Sequence, residues 1–394
     1  MKNLELFVNK RVTFRFYRQE LQFDLSQSLF SSFDVDQGTR LLLKTIAKEV
    51  PLADVGSVLD VGCGVGVIGL SLKKVNPAIA LTVQDRDALA LAFTQHNARL
   101  NKLAAVVVPG GLALQQLGDG RFDLIVSNLP GKAGETALAD MLARMPGHLT
   151  ESGRAAVVIV RPLAELVEAT LQEQGSEILL QEAGRGYTVF HFRGGETTIS
   201  ADKLAPYIRA QSHFQAAGAA YTLQTVYNLP EFDQLGFQTA VAYELLNEAA
   251  VNGRVLVWNP GQGHVPVYVA KRWGTAVASI TLGSRDLLSL TISAHNLAEN
   301  NANPIPINLC LQPSLLDLTS QFDFIIVFPD ADPGVPWAEL LPRQLNALLA
   351  PGGQVLISAK SSLMQRLLLK LGQLTLQKEK KRRGFRAALL QKPV

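Results

Sequence analysis

Acidic residues accompany a glycine-rich stretch in the first quarter of the chain. Asp60 ends a short apolar run, and the glycines after it begin an apolar pattern typical of a helix. These glycines are Gly62, Gly64 and Gly66. Asp85 follows about twenty residues later, where an acidic side chain at the end of a second strand accepts hydrogen bonds from ribose hydroxyls. Because glycines let a ligand approach the backbone closely, the stretch predicts a site for a nucleotide-like ligand.

Alternating strands and helices must position these residues. Apolar runs predict strands at residues 58–61, 79–83, 105–108, 122–127, 155–160 and 187–192. Helical patterns lie between them, one of them at residues 138–149. Alternating residues within 8–23 predict a hairpin before the first strand. We therefore expect an α/β fold with a mostly parallel, doubly wound sheet, whose ligands bind beyond the carboxyl ends of the strands. Asp60, Asp85 and Asn128 are expected at that edge.

The second half of the chain repeats the first. Pairs of matching residues recur at separations of 197 to 200 residues: Val58 and Val255, His96 and His295, Phe122 and Phe322, Gly153 and Gly353, Gly186 and Gly384. So constant a separation predicts a tandem duplication of one fold. The predicted domains are residues 1–200 and 201–394, with a linker near 194–206, where Gly, Thr, Ser and Asp cluster.

The second copy has lost the polar residues of the first. Val257, Asn259 and Ser284 stand where the first copy has Asp60, Gly62 and Asp85. The sequence after its fourth strand is Phe-Pro-Asp at residues 328–330 instead of Asn-Leu-Pro. We therefore expect a degenerate second domain and assign the chemistry to the first.

Two cofactors fit the glycine stretch when it is considered alone. Gly64, Gly66 and Gly69 satisfy the Gly-x-Gly-x-x-Gly pattern of NAD-binding proteins. The segment from Asp60 to Gly66, however, resembles the first motif of Rossmann-like S-adenosylmethionine-dependent methyltransferases. In that class the acidic residue helps to hold the cationic amino-acid part of the cofactor. The third motif of the class falls on Pro109, Gly110 and Gly111, which offer no side chain that could bind the adenine amine, so backbone contacts with the adenine are expected there. A carboxylate repels a pyrophosphate and attracts an ammonium or sulfonium, so Asp60 favours S-adenosylmethionine.

The segment after the fourth strand resembles the fourth motif of methyltransferases that act on amino groups. It reads Asn128, Leu129, Pro130, where that motif usually has Asn or Asp followed by two prolines and an aromatic residue. The resemblance implies that the Asn128 oxygen and the Leu129 carbonyl accept the two N–H groups of an amine, which aims its lone pair at the methyl group. Pro130 would stiffen the turn.

Residues 28–192 together resemble the catalytic domain of the bacterial ribosomal RNA guanine-N2 methyltransferases, a family with duplicated domains. The residues that carry the resemblance are the segment 30–43, the Asp60 glycine stretch and residues 128–132. It implies methylation of guanine N2 in ribosomal RNA, with a basic run at residues 378–386 helping to dock the RNA. Two alternatives stay open: methylation of a protein or small-molecule amine, and a scaffold that binds cofactor or RNA without turnover.

Composition limits the remaining classes. Hydrophobic residues make up 47% and charged residues 18%, which is typical of a globular chain, and the net charge of +3 allows an anionic partner. The two cysteines, Cys63 and Cys310, lie far apart without metal-ligand spacing, so we expect neither a metal nor a disulfide framework. No long apolar segment occurs. We expect a cytoplasmic monomer that does not bind membranes.

Overall fold

The structure, a computed structural model, describes residues 3–30, 33–104, 106–108, 111–197, 202–300, 304–330 and 332–394; of residues 106–108 it describes the backbone only. The chain divides into two compact units. The first unit is Leu4–Tyr207, and the second contains Ile208–Val394.

The first unit begins with an antiparallel hairpin, as the alternation of residue types predicted. Its strands are β1 (Lys10–Phe16) and β2 (Gln19–Leu25). Val12, Phe14 and Phe16 are buried, whereas the residues between them are exposed. This alternation gives the hairpin one apolar face.

Seven strands in the described part of the first unit form its main sheet. They are β3 (Ser57–Val61), β4 (Ala80–Gln84), β5 (Val106–Val108), β6 (Phe122–Asn128), β7 (Leu149–Val160), β8 (Glu177–Ala183) and β9 (Tyr187–Arg193). Their order across the sheet is β5-β4-β3-β6-β7-β9-β8. The strands β3 to β7 pair in parallel, and β9 pairs antiparallel with β7 and β8. The mostly parallel sheet confirms the predicted fold class.

Helices connect the parallel strands. Those among the described residues of the first unit are α1 (Gln37–Glu49), α2 (Val67–Val75), α3 (Ala88–Leu100), α4 (Glu135–Arg144) and α5 (Ala164–Glu173). The helix α1 packs on β7 and β9, and α2 packs on β3 and β4. Leu42, Leu70 and Phe93 are fully buried between helices and sheet. Burial of each such side chain stabilises the fold by about 1.5–3 kcal/mol.

Two local predictions were wrong. The helix predicted at residues 138–149 begins earlier and ends at Arg144, because Pro146 has no amide hydrogen with which to continue it. Leu149 instead begins β7, which is longer than the predicted strand at residues 155–160. The strand β8 was missed because its side chains are exposed or half-buried and lack a regular apolar alternation.

The second unit repeats this architecture. Its hairpin is β10 (Ile208–Ala216) and β11 (Ala219–Val226). Its main-sheet strands are β12 (Gly253–Trp258), β13 (Val277–Ser284), β14 (Ile307–Leu311), β15 (Phe322–Val327), β16 (Leu349–Lys360), β17 (Thr375–Arg382) and β18 (Phe385–Gln391). The helices among its described residues are α6 (Phe237–Leu246), α7 (His264–Trp273), α8 (Leu287–Asn300), α9 (Trp337–Leu348) and α10 (Ser361–Leu368). The order β14-β13-β12-β15-β16-β18-β17 is that of the first sheet, which confirms the duplication.

Candidate active site

The glycine loop joins the carboxyl end of β3 to the N-terminus of α2. Gly62, Gly64 and Gly66 have φ angles of 71°, 56° and 88°, in the left-handed region that side chains disfavour. The Gly62 amide donates to the Gln84 carbonyl at 2.8 Å, at the end of β4. The Thr94 hydroxyl of α3 donates to the Gly64 carbonyl at 2.9 Å. The loop is therefore held in shape by both β4 and α3.

Two of the three glycines face open space. A Cβ built on Gly62 or Gly64 has no atom of the described residues within 4 Å, whereas one on Gly66 would come within 2.9 Å of Leu70 and 3.0 Å of Thr94. Gly66 is therefore required by the packing of the unit itself. The space beside Gly62 and Gly64 lets a ligand approach the backbone.

Asp60 lies beneath this loop and is fully buried. Its Oδ2 accepts a hydrogen bond from the Gly69 amide at 2.8 Å, in the first turn of α2. Its Oδ1 is buried without a hydrogen-bond partner among the described residues. Burial raises the pKa of Asp60 to about 7, against the opposing effect of the Gly69 bond, and the charge of Asp85 raises it further. The unpaired oxygen marks a place for a hydrogen-bond donor or a cation.

Asp85 follows β4 and lies close to the glycine loop. Its Oδ2 accepts from the Gly64 amide at 2.9 Å, and its Oδ1 accepts from the Asp87 amide at 2.9 Å. The side chain is only partly buried, and each carboxylate oxygen can accept more than one hydrogen bond. The structure thus brings Asp60, Asp85 and the three glycines together.

Asn128 is the last residue of β6, next to the end of β3. The preceding Ser127 donates from its hydroxyl to the Val61 carbonyl at 2.8 Å. The side chain of Leu129 is buried, and its amide donates to the Val158 carbonyl at 2.9 Å, whereas Pro130 is exposed. The predicted placement of Asn128 at the same sheet edge as the glycine loop is correct.

Two residues around Asn128 were not predicted as site residues. Asp36, the N-cap of α1, accepts from Asn128 Nδ2 at 2.9 Å. The Tyr187 hydroxyl donates to the other oxygen of Asp36 at 2.8 Å, and this bond is the main cause of the raised pKa of Tyr187. A sequence signal was available: Tyr187 is matched by Phe385 in the second copy, so the hydroxyl was lost together with Asn128.

The corresponding edge of the second unit is filled by its own side chains. Asn259 occupies the position of Gly62, and its Nδ2 donates to the Phe328 carbonyl and to Asp330 Oδ1, both at 2.9 Å. The Ser284 hydroxyl donates to Asn259 Oδ1 at 3.0 Å. Trp258, fully buried, donates from Nε1 to Asp330 at 3.1 Å. The Asn259 side chain thus lies where Gly62 has none, which agrees with a degenerate second domain.

The basic run of the second unit is largely paired with acidic residues. Lys378 and Lys380 contact Glu248 at 3.1 and 3.0 Å, and Arg382 contacts Glu244 at 2.7 Å. The pairs are solvent-exposed, so each contributes little to stability. They lower the positive charge that the run offers to a phosphate backbone, and its role in docking RNA stays a prediction.

Three further findings concern the Cys63 thiol, metal ligands and the third motif. Burial raises the pKa of the Cys63 thiol, so it is protonated and unsuited to nucleophilic attack. Among the described residues, no group of three or more His, Cys, Asp or Glu side chains has the arrangement of a metal site. Of Pro109, Gly110 and Gly111, where adenine contacts were expected, the first two lie outside the described residues.

The segment that contains the site is similar to methyltransferase domains. Residues 20–191 match the family model of the methyltransferase small domain. Two curated relatives are small subunit ribosomal RNA methyltransferases C, from Hamiltonella defensa (34% identity over 175 residues) and Pasteurella multocida (34% over 172). The matches cover 43% and 42% of this chain and 50% and 49% of the relatives. The chain thus spans about half the length of the curated relatives it matches.

A solved structure resembles the whole chain. It is the 16S rRNA N2 G1207 methyltransferase of T. thermophilus, in complex with AdoMet and guanosine. The TM-score is 0.64 at 18% sequence identity, and the match covers 99% of both chains. The tandem fold is therefore shared along the full length, and the expected resemblance to ribosomal RNA methyltransferases is confirmed by the curated relatives. No helix among the described residues is long and apolar enough to cross a membrane.

Proposed function

We propose that this protein is an S-adenosylmethionine-dependent methyltransferase that modifies a guanine N2 in small-subunit ribosomal RNA, and that residues 1–200 form the catalytic domain. The observation that carries the proposal is the position of Asn128 beside the glycine loop. Both lie at the carboxyl ends of adjacent parallel strands, within the segment that matches the methyltransferase small domain. Methyl transfer requires such neighbouring places for donor and acceptor. The names of the relatives support ribosomal RNA as the acceptor.

The residues of the loop fit this cofactor. When bound, S-adenosylmethionine supplies an electrophilic methyl group on a cationic sulfur. Asp60 would attract the cationic amino-acid part, since its buried Oδ1 has no partner among the described residues. Asp85 would accept hydrogen bonds from the ribose hydroxyls. Gly62, Gly64 and Gly66 shape the loop, and the first two leave room for the ligand.

The acceptor would be held by Asn128 and the turn that follows it. Asn128 Oδ1 and the Leu129 carbonyl would accept the two N–H groups of the exocyclic amine, so that its lone pair points at the methyl group. Pro130 limits the backbone freedom of this turn. The proton that the methylated nitrogen loses can pass to water, so this site requires no dedicated base.

The test is transfer of a tritiated methyl group to small ribosomal subunits and to deproteinised small-subunit RNA, both from a strain that lacks the modification. We expect label in the RNA with the wild type and with Asn308→Ala, a control at an exposed asparagine, and at least tenfold slower labelling with Asn128→Ala. Absence of label from RNA while S-adenosylmethionine still binds would overturn the RNA assignment. Label in the ribosomal proteins alone would favour protein methylation.

A further inference from the structure

We infer that Asp36 and Tyr187 are positioning residues that hold the Asn128 amide with its oxygen directed toward the acceptor amine. This inference rests on the proposed function, because it assigns a purpose to the oxygen of Asn128. It adds two residues that do not touch the acceptor but determine which atom of Asn128 does.

Hydrogen bonds of the Asp36 side chain link Tyr187 on β9 to Asn128 on β6. Asp36 Oδ2 accepts from Asn128 Nδ2 at 2.9 Å and from the Thr39 amide at 3.2 Å. Asp36 Oδ1 accepts from the Tyr187 hydroxyl at 2.8 Å. Asn128 Nδ2 also lies 3.2 Å from the Thr39 hydroxyl. Both oxygens of Asp36 are thus engaged, and the carboxylate is fixed in place from two sides.

The chemistry of the carboxylate determines the orientation of the amide. An ionised carboxylate only accepts hydrogen bonds, so the NH₂ end of Asn128 must face Asp36. A rotation of the amide by half a turn would place Asn128 Oδ1 against Asp36 Oδ2 and lose the bond. The Asn128 oxygen therefore points away from Asp36, and it makes no hydrogen bond to any described residue. An amine donor is the partner that this oxygen can accept.

Gly38 permits the close approach of α1 to Tyr187. A Cβ at this position would lie 2.8 Å from the ring of Tyr187 and 2.9 Å from Asp36 Oδ2. Even an alanine would therefore push the tyrosine and the carboxylate apart. The sequence thus keeps the one residue type that lets these groups meet.

The second unit shows that the fold does not depend on these bonds. Its sheet has the same strand order, but the helix N-cap is Gly236, the residue after β15 is Phe328, and β18 begins with Phe385. None of the three hydrogen-bonding side chains of Tyr187, Asp36 and Asn128 is therefore present at the matching position. Glu231 caps the helix there instead, accepting from the Gly236 amide at 2.8 Å and from the Thr239 hydroxyl at 2.9 Å. The bonds to Asn128 and Tyr187 therefore accompany the acceptor site and are not needed to pack the helix on the sheet.

A double-mutant cycle tests whether Asp36 and Tyr187 act through Asn128. We expect Asp36→Ala to lower kcat for methylation of the small subunit by about 10- to 100-fold and Tyr187→Phe by about 3- to 10-fold. In an Asn128→Ala background the same substitutions should change kcat by less than about twofold. The affinity for S-adenosylmethionine, measured by calorimetry, should stay within about twofold. Tyr207→Phe is the matched control, because this buried hydroxyl has no hydrogen-bond partner among the described residues.

A second measurement does not require turnover. In protein labelled with ¹⁵N-asparagine, the Asn128 side-chain signal is identified by its loss in Asn128→Ala. Its NH₂ protons should exchange with water faster in Asp36→Ala and in Tyr187→Phe than in the wild type and in Tyr207→Phe. Equal losses of kcat in both backgrounds, or unchanged exchange, would overturn the inference. A wild type that methylates no RNA would instead refute the proposed function, while the exchange rates would still decide the orientation of the amide.

Discussion

Replacing Asp60 with asparagine should stabilise the first unit at pH 8, and the effect of the substitution should become more favourable as the pH rises. The buried carboxyl has its pKa raised from 3.8 to about 7. At pH values between 3.8 and about 7, Asp60 keeps its proton in the folded chain and releases it in the unfolded chain. Asp60 therefore contributes stability below pH 3.8, and this contribution is lost as the pH rises to about 7. An asparagine carries no charge to bury, so its contribution does not depend on pH.

The magnitude follows from the shift in pKa. One pKa unit corresponds to about 1.4 kcal/mol. Relative to its value below pH 3.8, the free energy of unfolding is therefore lower by about 4 kcal/mol at pH 8 and by about 2 kcal/mol at pH 5. Asparagine can still accept from the Gly69 amide, but its NH₂ group would be buried without a partner, at a cost of about 1–3 kcal/mol. That cost is the same at both pH values. The free energy of unfolding of Asp60→Asn relative to the wild type should thus be about 2–3 kcal/mol higher at pH 8 than at pH 5.

Hydrogen exchange is the suitable assay, since the three tryptophans, Trp258, Trp273 and Trp337, all lie in the second unit and do not report on the first. The exchange of amide hydrogens is measured in the intact protein at rising urea concentrations, by mass spectrometry of peptides from β3 and α2. It gives the free energy of opening of the first unit. Asp123→Asn is not a matched control, because that carboxylate is hydrogen-bonded and its pKa is lowered. The matched control is Asp54→Asn, because Asp54 is exposed. An advantage of Asp60→Asn that is equal at pH 5 and pH 8 would refute the raised pKa.

Three further predictions concern the site and its surroundings. At pH values below about 7 Asp60 becomes protonated, so the affinity of the wild type for S-adenosylmethionine should decrease there, by at most about tenfold per pH unit. An affinity measured by calorimetry that does not depend on pH would contradict a contact between Asp60 and the cationic ligand. Gly38→Ala should lower kcat for methyl transfer at least about tenfold, since its Cβ would lie 2.8 Å from the ring of Tyr187. Gly120→Ala is the control and should leave kcat unchanged, because the nearest atom to its Cβ would lie at 3.4 Å. Arg144→Ala should destabilise the first unit by about 3–5 kcal/mol in urea unfolding, because it leaves the largely inaccessible side chain of Asp140 unpaired. A loss as small as that of Lys48→Ala, at an exposed ion pair, would show that the Arg144–Asp140 pair is not needed.

The parts of the fold that depend on residues close together in the sequence were predictable from it. The strand β3, the glycine loop and the helix α3 each follow from a local pattern of apolar residues, glycines and polar ends. The duplication was visible because matching residues recur at nearly constant separation. Strand β8 was not predictable, since a strand with exposed and half-buried side chains carries no clear alternation.

The interactions within the site depend on contacts between distant residues, so the sequence could not supply them. Asp36 and Tyr187 are separated by 151 residues and meet only because α1 packs on β9. The complete burial of Asp60, and with it the raised pKa, depends on the packing of α2 over the end of β3. Comparison of the two copies was the informative route. It pointed to Asp60 and Gly62 from the sequence, and with the structure it also identifies Asp36 and Tyr187.

The most direct test of the proposed reaction is the identity of the methylated nucleoside. Small-subunit RNA from a strain that lacks the modification is incubated with the protein and S-adenosylmethionine, digested to nucleosides and analysed by mass spectrometry. We expect N2-methylguanosine to increase with the wild type and at least about tenfold more slowly with Asn128→Ala. An increase in any other methylated nucleoside in its place, or equal N2-methylguanosine from both proteins, would contradict the proposed reaction.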